Sequence, residues 1–151
     1  MKIIFLDFDG VLNSASYCRL HREPGVLLDP TRMALLRRII ETTGAEIVLS
    51  TSWKEHWEAE PERCDDTGKE INRIFSSYGM RIYDKIDDSE KGRGANIAGW
   101  LSGHKEATGF VVLDDMPMDE EALKNHCVLT AGLRDGLDEE DTERAIRILT
   151  D

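Results

Sequence analysis

Three short, largely apolar runs, each followed by acidic or hydroxyl side chains, constrain the fold of this chain more than any other feature. They span Lys2–Leu6, Glu46–Leu49 and 110–113. Apolar runs of this length, rich in β-branched residues, are typical of strands that are buried on both faces of a parallel sheet. Because the carboxyl ends of parallel strands meet at one edge, we expect the polar residues after the three runs to lie close together.

Segments with helical spacing separate these runs. Asp29 and Pro30 form a helix start, apolar residues then recur on one face, and Gly44 ends the pattern. Weaker signals predict a helix through Ile71–Tyr78, further helices at 95–101 and 138–149, and short strands at 80–83 and 127–130. The alternation predicts an α/β fold: a doubly wound, Rossmann-like parallel sheet of about five strands, with helices on both faces.

The size and charge of the chain limit its organisation and its partners. A length of 151 residues predicts one domain over 1–151. The net charge of −11 has the wrong sign for coating a nucleic-acid backbone or an anionic membrane, so we expect neither an extended nucleic-acid surface nor a membrane partner. Three scattered cysteines, and an N-terminus without a signal-peptide core, favour a cytoplasmic protein.

The residues that follow the three runs have the chemistry of a metal site. Asp7 and Asp9 follow the first run, the hydroxyl residues 50–52 follow the second, and Asp114 and Asp115 follow the third. Four acids at one sheet edge would repel one another, which favours a divalent cation between them. Since the ligands offered are oxygens, we expect Mg²⁺. The cation would also allow this acidic chain to bind a phosphate.

The stretch DFDGVLN, residues 7–13, resembles the first motif of the haloacid dehalogenase (HAD) superfamily of phosphohydrolases. The resemblance implies that Asp7 is the nucleophile that attacks phosphorus and that Asp9 is the general acid and base. It also implies that Asp9 lends its main-chain carbonyl to the metal. The activity implied is Mg²⁺-dependent hydrolysis of a phosphomonoester through an aspartyl-phosphate.

Further motifs of that superfamily are matched in the same order. Thr51, with Ser50 or Ser52 as a rival, resembles the second-motif hydroxyl that binds the transferring phosphoryl group. Lys91 resembles the third-motif cation, although Arg93 could hold that role. The two acids after the third run resemble the fourth motif, which completes the magnesium shell.

A closer resemblance covers nearly the whole chain. The stretches LSTSWK, Arg-Gly-x-x-Ile-x-x-Trp-Leu from Arg93, VVLDD and GLDEEDTERAI are similar to the HAD-like domain of Swiss-army-knife RNA repair proteins. This similarity implies a phosphorylated nucleic-acid end or a small phosphorylated molecule as substrate. Only about 35 residues separate the first two motifs, so we expect no large cap domain, and segment 13–28 would form a hairpin or a small flap.

Two other functions fit parts of the pattern. Receiver-type signalling modules also combine a doubly wound sheet with acids, magnesium, a hydroxyl and a lysine, but their acidic pair follows the first strand, whereas here the pair at 114–115 comes late. The second alternative is a catalytically idle binding domain with the HAD fold. The sequence leaves the oligomeric state open.

Overall fold

A five-stranded parallel sheet forms the centre of the computed structural model, which describes residues 1–151. The strands lie in the order β3-β2-β1-β4-β5, and all four pairings are parallel. They are β1 (Lys2–Leu6), β2 (Glu46–Leu49), β3 (Ile82–Lys85), β4 (Gly109–Asp114) and β5 (Cys127–Leu129). The predicted α/β fold is confirmed, and the strand order differs from the 2-1-3-4-5 order of receiver modules.

Five α-helices cover the two faces of the sheet: α1 (Ala15–Leu20), α2 (Pro30–Thr43), α3 (Asp66–Ser77), α4 (Arg93–Ser102) and α5 (Glu139–Thr150). Side chains alternate along each strand, so Ile4 and Leu6 join the larger core with α2, α3 and α5. Ile3 and Phe5 face the other way and pack against α4. The sheet is therefore wound on both faces, as predicted.

Local signals explain where α2 begins and ends. Asp29 accepts a hydrogen bond from the Thr31 N–H at 3.0 Å, and Pro30 occupies the first helical position, where no N–H is needed. Gly44 ends the helix in the left-handed conformation, with φ 73°. The chain then enters β2 directly, beside β1.

Three predicted segments differ from the structure. The strand expected at 80–83 lies at Ile82–Lys85, because Met80 completes the end of α3 through a hydrogen bond from its N–H to the Phe75 carbonyl. Helix α4 begins at Arg93, two residues earlier than predicted. Segment 13–28 contains α1 rather than a hairpin, with Ser14 as its N-cap; its role as a flap stays a prediction.

Two further observations bear on the expectations from composition. None of the helices combines the length and the apolar character needed to cross a membrane. The three cysteines, Cys18, Cys64 and Cys127, are all unpaired.

Candidate active site

Strand register aligns three of the polar residues at the carboxyl edge of the sheet. Leu6 pairs with Leu49 on β2 and with Leu113 on β4. The residues that follow are Asp7, Ser50 and Asp114, which therefore lie side by side on the three central strands. The connections that follow β1 and β4 lie on opposite faces of the sheet, and this divergence opens the crevice where ligands bind in doubly wound folds.

Asp7, Asp114 and Asp115 form a compact acid cluster. One carboxylate oxygen from each lies within 4.8 Å of the others. Asp7 and Asp114 are buried, whereas Asp115 is half-buried. The pKa of Asp7 is raised to about 6, chiefly by burial and further by the charge of Asp114, while Arg93 opposes the rise. Burial and the neighbouring Asp114 also raise the pKa of Asp115.

Arg93 is the cation of this cluster. Its Nη1 atom lies 3.1 Å from Asp7 Oδ2 and 2.8 Å from Asp114 Oδ2. Burial alone would lower the pKa of Arg93, but its hydrogen bond to Asp114 and the charge of Asp7 raise it above its ordinary value. The guanidinium therefore stays charged, and it balances only part of the negative charge.

The acid cluster fits a hard divalent cation. Its ligand atoms are all carboxylate oxygens, and one guanidinium, that of Arg93, faces three carboxyl groups. The HAD fold family generally uses Mg²⁺, which prefers such oxygen donors. Asp7, Asp114 and Asp115 are therefore the side chains that could hold the ion.

The Asp9 carboxylate is exposed and is held by two side-chain donors instead of joining the cluster. Asn13 Nδ2 donates to Asp9 Oδ1 at 3.0 Å, and Trp53 Nε1 donates to Asp9 Oδ2 at 3.1 Å. Asn13 also accepts a hydrogen bond from the Gly10 N–H at 3.0 Å, which fixes the turn after β1. Sequence reasoning assigned no site role to Asn13 or Trp53. The only sequence feature that singles out Asn13 is its position three residues after Gly10, and this spacing indicates a turn.

The three candidate hydroxyls have different surroundings. Thr51 is buried, and its Oγ1 accepts a hydrogen bond from the Trp53 N–H at 3.3 Å, so it caps the short 3₁₀ helix Ser52–His56. Ser52 is exposed. Ser50 Oγ is buried without a hydrogen-bond partner, and Ser50 is the residue aligned with Asp7. Of the three, Ser50 is therefore the hydroxyl that is both aligned with Asp7 and without a protein partner.

Lys91 and Arg93 have different positions. Lys91 is exposed, its backbone N–H donates to Ser89 Oγ, and it lines a neighbouring cleft of about 460 Å³. It takes no part in the acid cluster. The geometry therefore favours Arg93, the alternative cation, over Lys91.

Lys54 is a second cation at the site that sequence reasoning missed. The residue is only 8% exposed, and its Nζ lies 2.7 Å from the Oδ1 atom of the exposed Asp88. It lines a cleft of about 320 Å³ together with Ser50, Ser52 and Arg93. The cleft thus brings two cations and two hydroxyls beside the acid cluster, together with two acids, one of which, Asp88, already pairs with Lys54.

Comparison with known proteins identifies the family. A family model described as "HAD domain in Swiss Army Knife RNA repair proteins" matches residues 3–142. The chain belongs to this family. No curated protein and no solved structure matches it. The expected resemblance is thereby confirmed, and the HAD domain has the fold of a phosphatase-type hydrolase.

Gly10 of this HAD domain allows the turn after β1 to pass beside Asp115. Its φ is 83°, and a Cβ at this position would overlap the Asp115 carboxylate. We expect Gly10→Ala to displace Asp115, to lower the affinity for Mg²⁺ at least about tenfold, and to destabilise the fold by about 1–3 kcal/mol. Calorimetric titration and thermal unfolding measure the two effects.

Gly44→Ala is the matched control for that substitution. Gly44 also has a positive φ, 73°, but a Cβ there would meet nothing within 4 Å. The control should therefore lose stability through backbone strain and keep its Mg²⁺ affinity. Equal loss of Mg²⁺ affinity in both variants would contradict the role assigned to the Gly10–Asp115 contact.

Proposed function

We propose that this HAD domain is a Mg²⁺-dependent phosphomonoester hydrolase that acts through an aspartyl-phosphate on Asp7. One observation carries the proposal: Asp7 is a buried carboxylate bound by Arg93, beside Asp114 and aligned with the unpartnered hydroxyl of Ser50. A buried acid of this kind, among groups suited to phosphoryl oxygens, is typical of a nucleophile for phosphoryl transfer.

The contacts of Asp7 prepare it to attack phosphorus. Its Oδ1 accepts a hydrogen bond from the Phe8 N–H at 2.9 Å, and its Oδ2 lies against Arg93, so the carboxylate is fixed from both sides. Asp7, Asp114, Asp115 and the main-chain carbonyl of Asp9 would hold Mg²⁺, which neutralises phosphoryl oxygens when bound. Arg93 and the Ser50 hydroxyl would bind the remaining phosphoryl oxygens.

Asp9 would move the protons of both steps. As Asp7 Oδ forms its bond to phosphorus, the bond from phosphorus to the leaving oxygen breaks, and Asp9 gives its proton to that oxygen. The ionised Asp9 then takes a proton from water as the water oxygen attacks phosphorus and the bond to Asp7 breaks. Inorganic phosphate leaves, and Asp7 and Asp9 return to their initial states.

The substrate we propose is a phosphorylated nucleic-acid end or a nucleotide. Asp9 is exposed, and the only helices between β1 and β2 are α1 and α2, with no inserted domain, so the leaving group would face an open site. The family to which the chain belongs is described for RNA repair proteins. The net charge of −11 favours recognition of a terminal phosphate over a long nucleic-acid segment.

The test is release of inorganic phosphate from a simple aryl phosphate, with Mg²⁺ and with EDTA. We expect turnover only with Mg²⁺. A panel of nucleotides, sugar phosphates and oligonucleotides with 3′- or 5′-phosphates then tests the substrate class, for which oligonucleotide ends or nucleotides should give the highest kcat/KM. Absence of turnover on every member would favour the idle binding domain.

Mg²⁺ binding should weaken on acidification. The pKa of Asp7 in the metal-free protein is about 6, and the ion binds the carboxylate form, so protonation competes with metal below that pH. Between pH 7 and pH 5 the ionised fraction of Asp7 falls about tenfold, and the raised pKa of Asp115 acts in the same direction. We therefore expect a decrease of at least about tenfold in Mg²⁺ affinity by calorimetry. Affinity that does not change over this range would contradict the assignment of Asp7 as a ligand.

A further inference from the structure

Each of the three tryptophans donates its indole N–H to a side-chain oxygen. Trp57 donates to Asn72 at 2.9 Å and Trp100 donates to Asp84 at 2.8 Å. Trp53 donates to Asp9 Oδ2 at 3.1 Å. Only the Trp53 bond ends on a residue of the proposed chemistry.

The two donors to Asp9 come from different parts of the chain. Asn13 belongs to the same turn as Asp9 and is itself fixed, because it accepts the Gly10 N–H and also donates to the Leu27 carbonyl at 3.2 Å. Trp53 follows β2, so its indole is the link between Asp9 and the neighbouring strand. Each carboxylate oxygen of Asp9 has one of these donors, and removal of either would free the group to rotate.

Trp53 is held in place by its surroundings. Its backbone N–H donates to Thr51 Oγ1, and its half-buried ring packs against the larger core. Thr51 is fully buried. The buried hydroxyl that resembles the phosphoryl-binding motif therefore holds the backbone of Trp53.

We propose that Trp53 is a positioning residue for proton transfer by Asp9. The inference rests on the proposed function, since it requires that Asp9 protonate the leaving group. Transfer is efficient only when the carboxyl group is aligned with the leaving oxygen, and the indole N–H fixes the plane of the carboxyl group through Oδ2. Thr51 would contribute to the same alignment through Trp53.

The kinetic test compares leaving groups in Trp53→Phe, which removes the N–H and keeps an aromatic ring. Poor leaving groups depend on protonation and good ones do not, and kcat/KM reports the first step, in which the leaving group departs. We therefore expect kcat/KM on an alkyl phosphate to fall about tenfold, with less than about a twofold loss on an aryl phosphate of an acidic phenol. Replacement of Trp53 by benzothienylalanine, which has sulfur in place of the N–H in a bicyclic ring, should give the same pattern.

Trp57→Phe is the matched control. It removes an indole N–H from the same segment, but the bond lost ends on Asn72. We expect its leaving-group dependence to equal that of the wild type. The positioning role would be overturned if the leaving-group dependence changed equally in both variants. It would also be overturned if kcat/KM of Trp53→Phe fell by the same factor for all leaving groups.

A spectroscopic test is independent of turnover. In ¹H–¹⁵N spectra, Asp9→Asn should shift the Trp53 indole resonance and leave those of Trp57 and Trp100 in place. An unmoved Trp53 resonance would show that the bond to Asp9 is absent in solution, and the inference would fail while the proposed function could stand. A shifted resonance in a protein without phosphatase activity would overturn the proposed function and the positioning role, but would support the contact.

Discussion

Asp7→Asn is expected to remove phosphate release altogether. The amide cannot form the acyl-phosphate bond, and the loss of the nucleophile of a covalent mechanism should lower kcat by at least about a thousandfold. The variant keeps the size and shape of the side chain, which is only 5% exposed. Phosphate release from an aryl phosphate in Mg²⁺, at matched protein concentrations, measures the effect.

The same substitution should stabilise the metal-free protein. The pKa of Asp7 is about 6 in the folded state against an ordinary value of 3.8, so the folded state binds this proton more tightly than the unfolded state. The protonated Asp7 carboxyl therefore stabilises the folded state below about pH 4, and this stabilisation is lost as the pH rises through 6. Asn carries no charge, so in EDTA at pH 7.5 we expect Tm to rise by about 3–6 °C.

The pH dependence provides the internal control for Asp7→Asn. At pH 4 the wild-type carboxyl is protonated in the folded state, and the difference in Tm between the two proteins should nearly vanish. Wild-type turnover in Asp7→Asn would contradict the assignment of Asp7 as the nucleophile. A Tm below that of the wild type in EDTA at pH 7.5 would contradict the conclusion that the buried charge of Asp7 destabilises the metal-free protein.

The second large effect is expected from Arg93→Met. Arg93 bonds both Asp7 and Asp114, and its loss removes the side-chain cation of the cluster. We expect kcat to fall by about 100–1000-fold, the range typical when a preorganised electrostatic contact to the transition state is lost. In EDTA the variant should also be less stable, because a buried carboxylate loses its partner. Added Mg²⁺ should restore most of that stability.

Lys91→Met is the matched control for Arg93→Met. Lys91 lies two residues earlier in the chain, but it is exposed and outside the acid cluster. Its substitution should change kcat less than about twofold, as for a surface residue without contact to the site. If Lys91→Met lost activity to the extent expected for Arg93→Met, the third-motif role would belong to Lys91.

The parts of the fold that follow from local periodicity could be predicted from the sequence. β1, β2 and α2 were predicted almost to the residue, since apolar runs and capping residues mark their ends. The β3 strand was displaced by two residues because the end of α3 depends on a hydrogen bond from Met80 to Phe75, which apolar periodicity does not contain. The expected gathering of acids at one edge follows from parallel pairing, and the structure brings Asp7 and Asp114 together.

Choices between neighbouring residues could not be made from the sequence. Lys91 and Arg93 were both candidates for the third-motif cation. The structure distinguishes them because α4 begins at Arg93, whose side chain contacts the acid cluster, whereas Lys91 precedes the helix and is exposed. Thr51 and Ser50 were also rivals, and only the register of β2 against β1 places Ser50 beside Asp7. The bond from Trp53 to Asp9 joins side chains 44 positions apart, and no local pattern predicts such a contact.

The alignment of β2 with β1 limits how this site could change during evolution. Ile47 and Leu49 face the larger core, and Val48 faces the smaller one. A one-residue slip would bring Thr51 beside Asp7, but it would also turn every β2 side chain to the opposite face. An insertion or deletion in this strand therefore disturbs both cores at once, so new specificity is accessible by substitution at fixed positions and by loop changes beyond Ser50.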